Sequence, residues 1–116
     1  MANLPEIKRI FETFGLEPSL LKMANMTLDS CHKITEQLAQ KAAEFDHVGA
    51  KLVDGKVVLP EGAQEFFDRL AEVGIFSLVA KEEFGGSEMP YVVHAACMEL
   101  IASACPSTAV AACIHG

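Results

Sequence analysis

The chain has 116 residues, a length that suits one domain with a modest hydrophobic core. Its apolar fraction of 51% and charged fraction of 22% are those of a folded globular protein and exclude a disordered chain. The formal net charge is -7 and the basic residues are spread singly, which argues against binding to nucleic acid or to an anionic membrane.

Two amphipathic helices are predicted in the first 46 residues. The first begins near Pro5 and stops before Gly15, with an apolar face made of Ile7, Ile10, Phe11 and Phe14. The second runs to about Asp46, with an irregularity near residues 25–27. Its apolar stripe recurs every three or four residues and consists of Leu28, Cys31, Ile34, Leu38, Ala42 and Phe45. We expect Met23 and Met26 to fill gaps in the core.

A β-hairpin is predicted near residues 52–59, because Asp54-Gly55 lies between two short apolar runs. Two isolated strands are only marginally stable, so the hairpin is expected to lie against the helices. Pro60 and Glu61 are typical of a helix start and predict a third helix, which Gly74 ends. Its predicted buried stripe is Ala63, Phe66, Phe67, Leu70 and Val73.

Residues 75–79 are predicted to form a buried connector, and residues 81–87 a turn. The paired glycines Gly85 and Gly86 permit a positive φ and a close approach of two backbone segments. A phosphate-binding loop is the functional alternative, although the stretch has neither the GxGxxG nor the GxxxxGK pattern.

The last part of the chain, from residue 90 onward, is almost wholly apolar and has no Lys or Arg. It predicts one helix to about Ala104 and a second one that starts at Pro106. A helix that is apolar on nearly every side is either buried in a larger protein or spans a membrane. His94 and Glu99 are costly in a membrane and no basic flank is present, so we expect protein to cover this segment and Glu99 to be a hydrogen-bonded or paired structural acid.

The four cysteines are Cys31, Cys97, Cys105 and Cys113, and they form no CxxC pair. With no signal-like segment at the start, they are predicted to be reduced, packed thiols of a cytoplasmic protein. A zinc site made of His94, Cys97, Cys105 and His115 is an alternative that needs an unusual convergence of helices. Together the patterns predict an all-α bundle of five to six helices with one short β-hairpin.

Several stretches carry a family resemblance, namely DGKVVLPEG at 54–62, AEVG at 71–74, EEFGG at 82–86, MEL at 98–100 and PSTA at 106–109, with His115 after them. In this order, with Asp46 ahead of them, they resemble the N-terminal α-helical domain of the acyl-CoA dehydrogenases. Lys81 stands where that family usually has proline. Gly62 and the Met-Pro pair after the glycines look most like the larger bacterial subclass with an extended C-terminal region.

The resemblance implies a parent flavoenzyme that oxidises an acyl-CoA thioester to the trans-2-enoyl-CoA with FAD and passes electrons to electron-transferring flavoprotein. In that family the catalytic glutamate and most flavin contacts lie in a middle β domain and a C-terminal helical domain. The chain, residues 1–116, is therefore expected to be a truncated N-terminal domain without catalytic residues, metal or flavin, inactive alone. The full-length parent is expected to be a homo-oligomer, a dimer or a tetramer.

By the same resemblance, Ala109, Val110 and Cys113 are candidates for the pocket that holds the acyl tail. Plain packing inside the bundle is the alternative for these three residues. No cofactor-binding residue is assigned. A second function from a different class is a free-standing helical module that binds a partner protein or self-associates without catalysis, because its apolar C-terminal helices would be exposed in the isolated chain.

Overall fold

The computed structural model describes residues 4–115 and the side chains of residues 4–114. Over these residues the chain forms five α-helices and one antiparallel two-stranded hairpin, which confirms the predicted all-α class. Two 3-10 turns, Ile75–Ser77 and Glu82–Phe84, follow the third helix. The elements in chain order are α1 (Leu4–Thr13), α2 (Pro18–Val48), β1 (Lys51–Val53), β2 (Lys56–Val58), α3 (Ala63–Glu72), α4 (Tyr91–Ala104) and α5 (Pro106–His115).

The core forms where α2 packs on α4 and α4 packs on α5. The predicted stripe of α2 is buried except for the half-buried Ala42. The Sγ of Cys31 contacts the carbonyl oxygen of Cys97 at 3.8 Å, which brings the middle of α2 against the middle of α4. The molecule measures 50 × 34 × 17 Å along its principal axes, so the helices form a thin slab.

The first two helices differ from the prediction in which apolar side chains they bury. Ile7 and Phe11 are buried, but Ile10 is 45% and Phe14 68% exposed, because the bundle covers only the i, i+4 row that holds the first pair. The α2 helix is continuous through residues 25–27, so the predicted irregularity is absent. Met23 and Met26 are exposed and do not fill the core, because Ala24 and Leu28 occupy its inward row.

The hairpin has the predicted turn but not the predicted packing. Asp54 and Gly55 have φ values of 50° and 76°, the two positive values of a type I′ turn, and Leu52 pairs with Val57. All six strand residues are exposed, so the expectation that the hairpin lies against the helices is wrong. The chain has a positive φ on both sides of the hairpin, at Gly49 and Gly62, and the two strands are held by their own ladder.

The third helix starts later than predicted and ends where predicted. Pro60 precedes the helix, and the Ala63 N–H donates to its carbonyl oxygen at 3.0 Å in a turn that enters α3. The prediction that Pro60 opens the helix is therefore wrong, and Gly62, with φ of 85°, is its N-cap. Gly74, with φ of 81°, ends it as predicted, and its N–H donates to the Ala71 carbonyl at 3.0 Å.

The connector after α3 is buried through Ile75 and Leu78, as predicted. Residues 87–89, which follow the glycine turn, are fixed to residues 77–80 by backbone hydrogen bonds. One of these runs from the Glu88 N–H to the Ala80 oxygen at 2.9 Å. Gly85 has φ of 82°, and a Cβ atom built on Gly86 would overlap the carbonyl group of Ala80. The two glycines therefore perform the two structural tasks predicted for them.

The fourth helix buries one side and exposes the other. Ala95, Glu99 and Ala102 lie on its outer side, which is open to solvent. The Glu99 carboxylate has no hydrogen-bond or ion-pair partner within residues 4–114, so the prediction of a paired structural acid is wrong. The reason is its exposed position at the edge of the buried side of α4, beside Ala96, where no basic side chain of the described residues reaches it. No helix within the described residues is long and apolar enough to cross a membrane.

Candidate functional site

The fifth helix presents an apolar outer face. Val110 is 62% exposed, Ile114 is 75% exposed, and Cys113 is exposed beside them. These positions are spaced i, i+3 and i+4 and therefore share one side of a helix. A ligand or another protein segment can reach all three. Ile114 is not among the predicted pocket residues, although its spacing of four residues from Val110 places it on the same face.

Ala109, the third predicted pocket residue, lies elsewhere on this helix. It is only 8% exposed and belongs to the buried core cluster together with Ala112 and Cys105. The structure thus brings Val110 and Cys113 to one accessible face and places Ala109 in the helix interface. The role of the three residues in an acyl pocket stays a prediction.

The start of α5 is fixed against the end of α2. Pro106 occupies the first position of the helix, where a missing N–H costs nothing. The Ser107 Oγ donates to the Asp46 Oδ1 at 3.1 Å, and Thr108 is buried. This contact joins two stretches that are 61 positions apart in sequence, and it orients the outer face of α5 relative to the rest of the bundle.

Two open, mainly apolar cavities lie beside α5. One has a volume of about 320 Å³ and lies between the end of α2, the start of α3 and α5; its lining includes Asp46, the one charged residue in either wall. The other has a volume of about 450 Å³ and is lined by Leu59, Gln64, Phe67, Phe76 and Ala111. Leu59, Phe67 and Ala111 line both, so the two cavities adjoin.

A larger open cavity of about 790 Å³ lies between α2 and α3 and has a different character. Glu44, Glu61 and Glu65 line it, against the cations of Lys41 and Arg69. The Arg69 side chain is already engaged, since its Nη1 donates to the Gln37 Oε1 at 2.6 Å and its guanidinium lies 5.6 Å from the centre of the Phe66 ring. Lys41 in turn pairs with Glu44, with 3.6 Å between its Nζ and the Glu44 Oε2. Three carboxylates against two cations that already have partners make this groove a poor site for a phosphate or diphosphate.

The glycine turn does not provide a phosphate site either. The N–H groups of Gly85, Gly86 and Ser87 donate to the carbonyl oxygens of Glu82, Lys81 and Ser77, at 2.9, 3.0 and 3.1 Å. A phosphate-binding loop needs such donors free and pointing at the ligand. The sequence alternative of a phosphate-binding loop is therefore wrong, because the turn uses these donors to hold itself together.

All four cysteines are free, and three of them are buried. A hydrogen bond with Cys97, together with burial, raises the pKa of the Cys31 thiol far above its ordinary value, so this thiol stays protonated. Among the described residues no group of three or more His, Cys, Asp or Glu side chains could hold a metal ion. The zinc alternative thus has no support from His94, Cys97 and Cys105, and the side chain of His115 lies outside the described residues.

Comparison with known proteins gives two matches to the sequence. Residues 24–116 match the family model for the acyl-CoA dehydrogenase N-terminal domain. The chain is similar to 3-methylmercaptopropionyl-CoA dehydrogenase of Ruegeria pomeroyi, with 41% identity over 69 residues, which is 60% of this chain and 12% of that protein. The chain therefore matches only about one-eighth of the length of that curated relative. No solved structure matches the chain.

Proposed function

Because the chain belongs to the acyl-CoA dehydrogenase family through its N-terminal domain, we propose that it is the N-terminal helical domain of a flavin-dependent acyl-CoA dehydrogenase. In the proposed reaction a proton leaves the α-carbon of the acyl group and a hydride leaves the β-carbon. A double bond forms between these carbons, and the product is the trans-2-enoyl-CoA. FAD in the full-length enzyme supplies the hydride acceptor, and electron-transferring flavoprotein then reoxidises it.

The observation that carries the proposal is the accessible apolar face of α5, which lies inside the matched region. Val110 and Cys113 together with Ile114 offer aliphatic and thiol surface without a charge. Such a surface suits the hydrocarbon part of an acyl thioester, which gains free energy when it leaves water. The role we propose for this chain is therefore to bind and orient the acyl tail and to exclude water from it.

We propose that the flavin itself is held by other parts of the parent enzyme. The support is that the cavity of about 790 Å³ carries three glutamates, and that the N–H groups of Gly85, Gly86 and Ser87 already donate within the fold. No carboxylate lies on the outer face of α5, and Glu99 is on the outer side of α4. We therefore propose that the catalytic base and the flavin contacts come from a middle β domain and a C-terminal helical domain, and that the isolated chain is inactive.

The remaining parts of the proposal concern the parent enzyme. We propose a cytoplasmic homo-oligomer, a dimer or a tetramer, in which other protein closes over the acyl tail on the apolar outer face of α5. The support is physical: Val110 and Ile114 are more than half exposed, and a contiguous exposed apolar patch marks a surface that contacts something else.

The test uses the full-length protein that carries this chain. We expect visible flavin absorbance that bleaches when an acyl-CoA is added without oxygen. The substrate panel runs from short to long straight chains and includes 3-methylmercaptopropionyl-CoA, because the similar Ruegeria protein is named for it. Val110→Phe should shift the preference toward shorter chains, whereas Val57→Phe, on the exposed hairpin, should leave it unchanged. Absence of flavin, or absence of bleaching with every thioester, would refute the proposal.

A second function, that of a helical interaction module, is favoured by the hairpin. Leu52 and Val57 are 75% and 73% exposed and face each other across the ladder, so one side of the hairpin is apolar and uncovered. Sedimentation of the purified chain separates the two functions. Two results together would favour the module: the longest native form of the protein carries no flavin, and the chain forms a stable self-associated species that Leu52→Lys disperses.

A further inference from the structure

Two buried thiols meet where α2 packs on α4. Cys31 and Cys97 are both fully buried, and the Sγ of Cys31 lies 3.8 Å from the carbonyl oxygen of Cys97. The Cys31 thiol also hydrogen-bonds to the side chain of Cys97. Cys105 is as deeply buried, but its thiol makes no hydrogen bond within the described residues. The proposed acyl-CoA chemistry uses none of these three thiols.

The contact between the two helices has the dimensions that a disulfide bond requires. Packed helix axes lie about 8–10 Å apart and Cα atoms lie about 2.3 Å from each axis, so residues that face each other have Cα atoms about 3.5–5.5 Å apart. A disulfide needs a Cα separation of about 4.4–6.8 Å, which overlaps that range. Cys31 and Cys97 are such a facing pair, because each is buried on its own helix and the two residues touch.

We propose that Cys31 and Cys97 form a redox latch, a disulfide bond that fixes α2 to α4 when the chain meets a small-molecule disulfide. One cysteine thiolate attacks a sulfur of the small disulfide, whose S–S bond breaks and releases one small thiol. The other cysteine thiolate attacks the protein sulfur of the resulting mixed disulfide and releases the second small thiol. Two electrons pass from the protein to the small disulfide, and the two cysteine protons leave with the released thiols.

The closed bundle protects the latch cysteines from reaction. Both are fully buried, and the pKa of the Cys31 thiol lies far above its ordinary value in the folded chain, so this residue offers no thiolate there. Separation of α2 from α4 exposes both thiols to the reagent, and the return of the helices brings the two sulfurs together. Reducing conditions keep the pair as thiols. The latch therefore acts on chains that open while small disulfides are abundant, and it then holds them closed.

The test treats the 116-residue chain with hydroxyethyl disulfide in urea near the unfolding midpoint and then dilutes the urea while the reagent is still present. Remaining thiols are blocked, and the chain is digested with trypsin without reduction. Cys31 lies in the peptide 23–33, and the other three cysteines share the peptide 82–116, because no Lys or Arg follows Lys81. We expect a disulfide between these two peptides to be the main product.

The statistics of an unfolded chain favour a different product. Cys97, Cys105 and Cys113 are spaced eight residues apart, whereas Cys31 and Cys97 are 66 apart. Loop closure alone therefore favours a link inside the peptide 82–116 by about twenty-fold. A dominant link between the two peptides consequently reports the folded contact. It should persist in Cys105→Ala and in Cys113→Ala, which are the matched controls, and disappear in Cys97→Ala.

The thermal stability of the oxidised chain gives a second readout. Closing a 66-residue loop should raise Tm by about 10 °C over the reduced chain, and dithiothreitol should reverse the shift. The double variant Cys105→Ala/Cys113→Ala keeps only the latch cysteines and gives this readout even where Cys97→Ala does not fold. A main product within the peptide 82–116, an unchanged link in Cys97→Ala, or a Tm that oxidation does not raise would overturn the proposal.

Discussion

The substitution Gly86→Ala tests the close approach of two backbone segments in the glycine turn. A Cβ atom at this position would overlap the carbonyl carbon and oxygen of Ala80, which are backbone atoms and cannot rotate aside. That carbonyl also accepts the Glu88 N–H at 2.9 Å, so moving it breaks the hydrogen bond that returns the chain toward α4. We expect the free energy of unfolding to fall by about 1 kcal/mol for the lost hydrogen bond and by about 1–3 kcal/mol for overpacking.

Gly85→Ala is the matched comparison, because the constraint at Gly85 is its backbone φ and not a close contact. Gly85 has φ of 82° but open space around its Cα, so alanine there meets only the backbone penalty of the left-handed region. That penalty is about 1–2 kcal/mol, and the lower entropy of the unfolded alanine chain offsets about 0.5–1 kcal/mol of it. The net destabilisation at Gly85 should therefore be about 1 kcal/mol, against about 3 kcal/mol at Gly86.

Urea denaturation of the 116-residue chain measures the loss of unfolding free energy for each variant. The slope m, of that free energy against urea concentration, checks that the unfolded states of the variants are alike. In thermal unfolding, Gly86→Ala should lower Tm by about 12 °C, at roughly 4 °C per kcal/mol. If Gly86→Ala is within 0.5 kcal/mol of wild type, or costs less than Gly85→Ala, the close contact with Ala80 does not hold the turn together.

Three further predictions concern the thiols and α5. A small disulfide reagent should modify Cys113 rapidly in the folded chain and Cys31 only on unfolding, and equal rates would contradict the burial of Cys31. The pKa of Cys31 is raised in the folded chain, which therefore keeps a proton that the unfolded chain releases above about pH 8.5. Above that pH the free energy of unfolding should fall by up to about 1.4 kcal/mol per pH unit. Cys31→Ala should reduce this slope, and Cys113→Ala should leave it unchanged. Ala109→Leu should cost about 1–3 kcal/mol by overpacking, whereas Val110→Leu should stay within about 0.5 kcal/mol; similar costs would contradict their different placement.

Much of the fold follows from local patterns in the sequence. The three-to-four residue spacing of apolar side chains predicts α2, Asp54-Gly55 predicts the type I′ turn, and Gly74 predicts the end of α3. These features depend on residues close together in the chain, and backbone sterics decide them. The paired glycines of the turn belong to the same class, because Gly85 has a positive φ and Gly86 has no room for a Cβ atom beside the Ala80 carbonyl.

The features that the sequence did not predict depend on which neighbour covers each side of an element. Met23 and Ile10 are apolar, yet they lie on helix rows that no other helix reaches. The hairpin likewise pairs with itself and meets no helix face. In the candidate site, helical spacing groups Val110 with Cys113. The cavity beside α5 that both Phe76 and Ala111 line joins residues distant in sequence, and spacing along the chain does not predict it.

The slab shape has a consequence for how water and denaturant reach the core. A thickness of 17 Å leaves room for only two layers of helices, whose axes pack about 8–10 Å apart, so every buried side chain lies within one helix of the solvent. The displacement of a single helix then exposes the core to hydration, without passage through a dry inner layer. Amide hydrogens in α2 and α4 are therefore expected to exchange together, in one cooperative opening, and to lack a separately protected centre.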